Sequence, residues 1–418
     1  MSEFDKIVGY SVIKQELKQI CDMINNPKIY KDLGAQMPKG LLISGNPGVG
    51  KSLMASALAK ESGLKTFLLR RDKNSSDFIN EINNIFKEAN DCAPSIIILD
   101  DLDKFVVEDG SREEYVAVQA CIDDVRNSDV YVVATINEYD NIPESLIRAG
   151  RFDKKINVRR PTGSDAGEII KHYIGLKEVA KDLNYTDITK MLNGRTCAEL
   201  ETLLNEAALF AGYERKSKIK IRHIVQAVLR DIYGAREGGE PIDNELLKRI
   251  AYHEAGHVVI SEVLSPNSIG LASVFGGDQR SGTCGFIINS LALYNESHYI
   301  LTALGGKAAS ELKFGSVDEG SFADLLHVTN WITKQVMERG SKGISYLDVF
   351  NHHLPPSPSL QAQQENIIHV EIKDNLIKAK EIITNNLYFL DAIADALLER
   401  DYLLSSDIAA IRAASAKC

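Results

Sequence analysis

The sequence predicts an α/β domain, with a doubly wound parallel sheet and a helical lid, followed by a mainly α-helical domain. Over residues 1–160, short apolar runs alternate with stretches of helical periodicity, which is the pattern of a parallel sheet with crossover helices. Beyond residue 245 the pattern is mostly helical. The exceptions there are two glycine-punctuated β segments, Ser268–Val274 and Gly285–Asn289.

The domain boundaries are placed where the composition changes. The α/β subdomain takes residues 1–160, the helical lid 161–230, an interdomain linker 231–244 and the second domain 245–418. The linker is assigned because glycine, proline and charged residues dominate it.

Composition narrows the class of protein. The net charge of −10 argues against a general nucleic-acid or anionic-membrane binder. The six cysteines show no C-x-x-C spacing and are expected to be reduced thiols of a cytoplasmic protein. No apolar run approaches the ~18 residues of a membrane-spanning helix, so no membrane contact is expected from this chain itself. The N-terminus also lacks the apolar core of a signal peptide.

A phosphate-binding loop is predicted between the first strand and the alanine-rich helix that follows it. The pattern G-x-x-x-x-G-K-[ST] allows backbone N–H groups and a helix N-terminus to surround phosphate oxygens. Lys51 would reach the β- and γ-phosphates of ATP, and Ser52 would bind Mg²⁺. The predicted nucleotide-binding residues of this loop are Gly45, Asn46, Pro47, Gly48, Val49, Gly50, Lys51, Ser52 and Leu53.

Polar residues follow the next two predicted strands at the sheet edge where ligands bind. The apolar strand Ser95–Leu99 ends in Asp100, expected to hold Mg²⁺ through water, and Asp101, the candidate base for the attacking water. A third strand, Val130–Thr135, is followed by Asn137, whose amide can orient water near the γ-phosphate.

Two arginines, Arg148 and Arg151, flank Ala-Gly shortly after the third strand. They are either a basic surface turn or, in a ring-shaped ATPase, side chains that enter the nucleotide site of a neighbouring subunit.

A metal site is predicted on one helix of the second domain. His253 and His257 are four residues apart and therefore lie on the same helix face, where both can bind one zinc ion. Glu254 can reach a water held on that ion and act as general base, which completes the pattern H-E-x-x-H. A third ligand is needed. The residue types leave four candidates open, namely Asp318, Glu319, Asp324 and His327.

These motifs, in this order, resemble the AAA+ and peptidase domains of the FtsH family of ATP-dependent zinc metalloproteases, over nearly the whole chain. Further matching stretches are Met37–Leu42, Asn205–Leu209 and Gly305–Gly315. The resemblance implies an AAA+ module followed by a zincin-type metallopeptidase domain, with Zn²⁺, ATP and Mg²⁺ as cofactors. It also implies a homohexameric ring that acts on protein or peptide substrates.

The resemblance also assigns individual residues. Asn137 matches the first sensor, and Arg148 and Arg151 match the arginine fingers. Ile7 and Val8 fall where the family contacts adenine. Asp324, within Glu-Gly-Ser-Phe-Ala-Asp-Leu, matches the acidic zinc ligand and is selected among the four candidates.

The chain departs from the family pattern in three ways. The membrane-anchoring segment usual before the AAA+ domain is missing, which indicates a truncated, otherwise membrane-anchored chain or a soluble member. The region between Lys65 and Ile82, where the family has its substrate-gripping pore loop, is several residues shorter than in the family and lacks the aromatic-x-Gly motif. Phe78 either takes the place of the missing aromatic residue or belongs to the core. Asp101 replaces glutamate, which moves the carboxylate by roughly 1.5 Å and can slow hydrolysis by ~10²-fold.

Three functional hypotheses follow. The first is an ATP-dependent zinc endopeptidase for unfolded or loosely folded proteins. The second is a zinc peptidase with little ATP-driven translocation, and the third is a non-proteolytic remodelling chaperone. The two β segments of the second domain either hold substrate as an added strand or form a plain structural hairpin.

Overall fold

The computed structural model describes residues 2–71, 75–105, 113–139, 142–147, 150–234, 243–274, 286–289, 296–317, 320–337 and 358–415. The chain divides into two compact units. The first contains Met1–Lys177 and Gly194–Thr202, and the second contains Glu178–Asn193 and Leu203–Cys418.

The first unit is built on a five-stranded sheet with the strand order β2-β3-β4-β1-β5, in which every neighbouring pair is parallel. The strands are β1 (Gly40–Gly45), β2 (Lys65–Leu69), β3 (Ser95–Leu99), β4 (Val130–Ile136) and β5 (Lys154–Val158). The helices are α1 (Ser11–Asn25), α2 (Pro27–Asp32), α3 (Lys51–Ser62), α4 (Ser75–Asp91), α5 (Glu113–Asp124), α6 (Glu144–Ile147) and α7 (Gly163–Gly175). The predicted parallel α/β sheet is confirmed.

The central strands are the ones that the sequence predicts best. Every residue of β3 and β4 is buried, because helices cover both faces of a parallel sheet and make its inner strands apolar throughout. The outer strands β2 and β5 are half exposed and carry lysine, so their sequences do not form an apolar run. They were not predicted as strands.

The second unit is mainly helical, as predicted. Its helices are α8 (Tyr185–Met191), α9 (Cys197–Tyr213, of which residues up to Thr202 belong to the first unit), α10 (Ile221–Tyr233), α11 (Asn244–Leu264), α12 (Glu296–Ala303), α13 (Gly305–Phe314), α14 (Gly320–Met337), α15 (Pro358–Thr384), α16 (Leu387–Arg400) and α17 (Ser405–Ser415). No helix among the described residues is long and apolar enough to cross a lipid bilayer.

A small antiparallel sheet completes the second unit. It has the order β7-β6-β8, with β6 at Ile269–Ser273, β7 at Phe286–Asn289 and β8 at Tyr402–Leu404. The two predicted β segments pair with each other. Strand β8 was not predicted, because three residues between two helices are too few to show a strand pattern. Strand β6 is paired on both sides and therefore has no edge to which a substrate strand can be added.

Helix α11 lies at the centre of the second unit. It is buried continuously from Ile250 to Glu262, where it packs against α13 and α16. Close packing against α13 depends on two glycines. A Cβ on Gly256 would lie 2.3 Å from the carbonyl oxygen of Gly305, so only residues without side chains allow the two backbones to approach this closely. This closely packed part of α11 is the part that carries the predicted metal ligands.

Candidate active sites

The predicted metal ligands converge in the second unit. His253 and His257 project from neighbouring turns of α11, and their Nε2 atoms lie 3.1 Å apart. Asp324, on α14, places Oδ2 3.1 Å from both of these nitrogens. Glu254 is buried beside the two histidines, and the ligand atoms of these three α11 residues all lie within 4.8 Å of one another.

The three facing atoms fit a zinc ion. With zinc bonds of about 2.0–2.1 Å, the ligand atoms of a tetrahedral site lie roughly 3.3 Å apart, close to the spacing found here. Asp324 Oδ2 is buried and has no aligned hydrogen-bond partner among the described residues. A buried carboxylate oxygen without such a partner is unfavourable unless a cation binds it. The donor set of two imidazoles and one carboxylate is one that zinc accepts, with a position left open for water.

The surroundings of the histidines orient their rings. His257 Nδ1 lies 2.7 Å from the carbonyl oxygen of Thr302, which fixes the tautomer so that Nε2 presents its lone pair to the site. His253 rests against Gly306 on α13, where a Cβ would lie 2.3 Å from Nε2. Gly306 is therefore a supporting residue that the H-E-x-x-H motif alone does not reveal.

Without a metal ion, His257 binds a proton more readily than an ordinary histidine. Burial lowers the pKa of His257, but the adjacent Asp324 carboxylate more than offsets this and raises the pKa above its ordinary value. Burial likewise works against ionisation of Asp324, yet His257 and His253 hold its pKa below the usual range. The carboxylate therefore stays charged, as a metal ligand must.

The other candidates for the third ligand stand apart from this geometry. His327 is exposed on α14. Asp318 and Glu319 lie outside the described residues. Asp324 is thus the candidate that the described structure brings to the two histidines.

The predicted nucleotide site forms a cleft of about 620 Å³ in the first unit. The loop from Pro47 to Leu53 lines it, together with Ile7, Val8, Asp101 and Asn137. Gly48 and Gly50 adopt positive φ angles of 78° and 98°, which glycine permits and which turn the loop around the cleft. The cleft is also lined by residues of α7 and of the start of α9 that the sequence did not indicate, namely Ile169, His172, Tyr173, Cys197, Ala198 and Glu201.

Lys51 is held by protein acceptors. Its Nζ donates hydrogen bonds to the carbonyl oxygens of Gly45 (2.8 Å) and Asn46 (3.0 Å) and to Oδ1 of Asn137 (2.8 Å). Burial lowers the pKa of Lys51 below its ordinary value. The predicted sensor and the predicted phosphate ligand are therefore brought into direct contact.

Asp100 lies beside the predicted Mg²⁺ ligand Ser52. Its Oδ1 accepts hydrogen bonds of 2.7 Å from the hydroxyls of Ser52 and Thr135. Its Oδ2 accepts a 2.7 Å hydrogen bond from Nε of Arg70, which follows β2. Thr135 and Arg70 were not identified from the sequence, because neither belongs to a motif.

Asp101 and Asn137 have partners that the sequence did not indicate. Asp101 has a positive φ of 56°, and its carboxylate forms an ion pair of 2.7 Å with Lys104. Asn137 donates a backbone hydrogen bond (3.1 Å) and a side-chain hydrogen bond (2.9 Å) to Asp103 Oδ2. Asp103 thereby positions the predicted sensor.

The predicted arginine fingers are only partly described. Arg151 is 5% exposed, and it forms hydrogen bonds of 2.9 and 2.6 Å with the two carboxylate oxygens of Asp123 on α5. Its guanidinium is thus engaged within its own chain, and its role towards a neighbouring subunit stays a prediction. Arg148 lies outside the described residues.

The possible pore residue Phe78 belongs to the core. It is fully buried, and its ring meets that of Phe105 edge-on at 4.9 Å between centroids. It cannot grip a substrate from this position. Residues 72–74 of the shortened segment lie outside the described residues.

Two protein-family models match the chain, one in each half of the sequence. The model of the ATPase family associated with various cellular activities (AAA) matches residues 41–160, and the model of peptidase family M41 matches residues 241–411. The ATP-dependent zinc metalloprotease FtsH 2 of Thermoanaerobacter sp. (strain X514) is 29% identical over 430 residues, which cover 97% of this chain and 82% of the relative.

Two other relatives are longer. ATP-dependent zinc metalloprotease FTSH 5, chloroplastic, of Arabidopsis thaliana and ATP-dependent zinc metalloprotease FtsH of Mycoplasma genitalium are each 29% identical. The aligned parts cover 95% and 97% of this chain, but only 62% of each relative. With an AAA domain followed by an M41 peptidase domain, the chain belongs to the FtsH family of ATP-dependent zinc metalloproteases.

Proposed function

We propose that this chain cleaves unfolded or loosely folded proteins at the His253–His257–Asp324 site and that ATP hydrolysis in a homohexameric ring delivers the substrate. The observation that carries the proposal is the convergence of two imidazole nitrogens and one carboxylate oxygen at 3.1 Å from one another. Such a cluster is a metal-binding arrangement with a vacant fourth direction for water and substrate.

The peptidase chemistry divides among few side chains. When bound, zinc supplies a Lewis acid that polarises the scissile carbonyl and makes water acidic enough to react at neutral pH. Glu254 is the carboxylate adjacent to the ligands, so it takes the proton of the attacking water and passes it to the leaving amine. The burial of Glu254, at 3% exposure, limits competition from bulk water.

The ATPase chemistry uses the cleft of the first unit. Lys51 would exchange its contacts with Gly45 and Asn46 for phosphate oxygens, and Ser52 and Asp100, which are hydrogen-bonded to each other, would hold Mg²⁺. Asp101 polarises the attacking water, and Asn137 orients it. In the ring, Arg148 and Arg151 complete the site of the neighbouring subunit.

The decisive experiment compares wild type with Glu254→Gln. The amide keeps the size of the side chain but removes its basicity, so zinc content and ATPase activity should persist while cleavage of a labelled unfolded protein is lost. Proteolysis by Glu254→Gln at the wild-type rate would refute the assignment. Zinc content is measured in both proteins, so that loss of metal is not mistaken for loss of the base.

A second candidate is a zinc peptidase with little ATP-driven translocation. Two observations favour it, namely the Asp101–Lys104 ion pair and the buried position of Phe78. The assay that separates the two candidates is cleavage with ATP and without nucleotide. Strong stimulation by ATP supports translocation, and equal rates support the second candidate.

A further inference from the structure

Arg70 lies at the junction between strand β2 and the shortened pore segment. Its Nε donates to Asp100 Oδ2 at 2.7 Å, and its Nη2 forms an ion pair with the same oxygen. The side chain of Asp100 is only 4% exposed, whereas that of Arg70 is 61% exposed. The pair therefore joins a buried carboxylate to a cation that reaches solvent.

The opposite oxygen of the same carboxylate is hydrogen-bonded to the predicted phosphate loop. Asp100 Oδ1 accepts hydrogen bonds from Ser52 on the phosphate loop and from Thr135 on β4. Asp100 is therefore a charged group shared between the phosphate loop and Arg70.

The neighbouring Arg71 is a structural residue by contrast. Its side chain is 12% exposed, forms an ion pair of 3.2 Å with Glu114 and lies over the ring of Phe78. Arg70 has no such enclosure, because 61% of its side chain is exposed. The difference between the two adjacent arginines indicates that Arg70 serves the site rather than the core.

We propose that Arg70 is a built-in cation of the nucleotide site that shares Asp100 with Mg²⁺ and so reduces the dependence of nucleotide binding on Mg²⁺. The proposal rests on the nucleotide site proposed above. Two cations drawn to one carboxylate repel each other, so Arg70 disfavours Mg²⁺ there. Without Mg²⁺, the positive charge of Arg70 remains beside Asp100, next to the phosphate loop, and partly compensates the negative charge of the phosphates.

The test measures the dissociation constant of a fluorescent ADP analogue in excess EDTA and in excess Mg²⁺. The quantity of interest is the dissociation constant in EDTA divided by the dissociation constant in Mg²⁺. Arg70→Gln keeps hydrogen-bond donors but removes the charge, and should raise this ratio by about five-fold or more. Arg70→Lys keeps the charge and should stay near the wild-type ratio.

Lys65→Gln is the matched control, because it removes one exposed positive charge at the far end of the same strand. It should leave the ratio unchanged. Equal loss of affinity with and without Mg²⁺ in Arg70→Gln would overturn the proposal, since a purely structural role predicts that result. Failure of the wild-type chain to bind the analogue at all would refute the nucleotide site itself, and this proposal with it.

Discussion

Substituting alanine for Gly306 tests how the zinc site is supported. The new Cβ would lie 2.3 Å from Nε2, 2.4 Å from Cε1 and 2.6 Å from Cδ2 of His253. Non-bonded heavy atoms in packed proteins settle near 3.5 Å, so the imidazole has to retreat by about 1 Å. The atom displaced most is Nε2, which faces His257 and Asp324.

The expected effect is on metal binding more than on folding. Residues that support metal ligands typically change metal affinity by about 10–100-fold when altered, and a shift of about 1 Å lies within the range that produces such losses. The ring of His253 can move because it is a side chain. We therefore expect Gly306→Ala to fold and to bind zinc about 10–100-fold more weakly than wild type.

Two other glycines separate this effect from general damage. In Gly305→Ala, the Cβ would lie 2.6 Å from the backbone oxygen of Gly256, which cannot rotate away, so α11 and α13 must separate. That variant should lose folding stability. A Cβ on Gly212 in α9 meets no heavy atom within 4 Å, so Gly212→Ala should leave the protein as stable or stabilise it by about 0.5–1 kcal/mol.

Zinc affinity is measured by competition with a chromophoric chelator, and folding by thermal unfolding of the same metal-free samples. Gly306→Ala should show weakened zinc binding with a near-normal melting temperature, whereas Gly305→Ala should melt early. Wild-type zinc affinity in Gly306→Ala would refute the reasoning, because His253 would then bind metal without the space that the glycine provides.

Three further predictions concern charged groups. Lys51→Ala should abolish nucleotide binding, measured with a fluorescent ADP analogue, and wild-type affinity would contradict the phosphate assignment. The Arg151→Ala variant should bind ATP without hydrolysing it, and normal ATP turnover would show that no neighbouring site needs this arginine. The substitution should also lower the free energy of unfolding by about 1–3 kcal/mol, because the hydrogen bonds to Asp123 are lost. Zinc affinity should fall as the pH is lowered, because Asp324 raises the pKa of His257 and a proton then competes with the metal. The loss should be about tenfold per pH unit for each proton displaced, and a constant affinity between about pH 8 and pH 6 would contradict it.

The sequence predicts those parts of the fold and site that depend on local spacing. A spacing of four residues along one helix places His253 and His257 on the same face, whatever surrounds that helix. The buried strands β3 and β4 are apolar throughout, so they stand out as well. Asp324 lies far along the chain, and its selection depended on the resemblance to a family and not on spacing.

Contacts between distant segments could not be predicted in this way. Arg70 meets Asp100 because β2 and β3 are adjacent in the sheet, and Asp103 meets Asn137 because the chain after β3 turns towards the end of β4. Gly306 matters only because α13 crosses α11 beside His253. No motif marks these residues, since each acts through a neighbour that tertiary structure supplies.

The two sites differ in what must change before they act. In the peptidase site, Oδ2 of Asp324 already faces both histidines and has no competing hydrogen bond among the described residues, so metal binding requires little rearrangement. In the nucleotide site, Lys51 is bonded to three protein oxygens and Asp100 to Arg70, so phosphate has to replace the contacts of Lys51 and Mg²⁺ has to compete with Arg70 for Asp100. Part of the nucleotide-binding free energy is therefore offset by broken contacts. Cleavage of a short peptide should accordingly proceed without nucleotide, whereas cleavage of a long, loosely folded protein, which has to be delivered to the site, should depend on ATP.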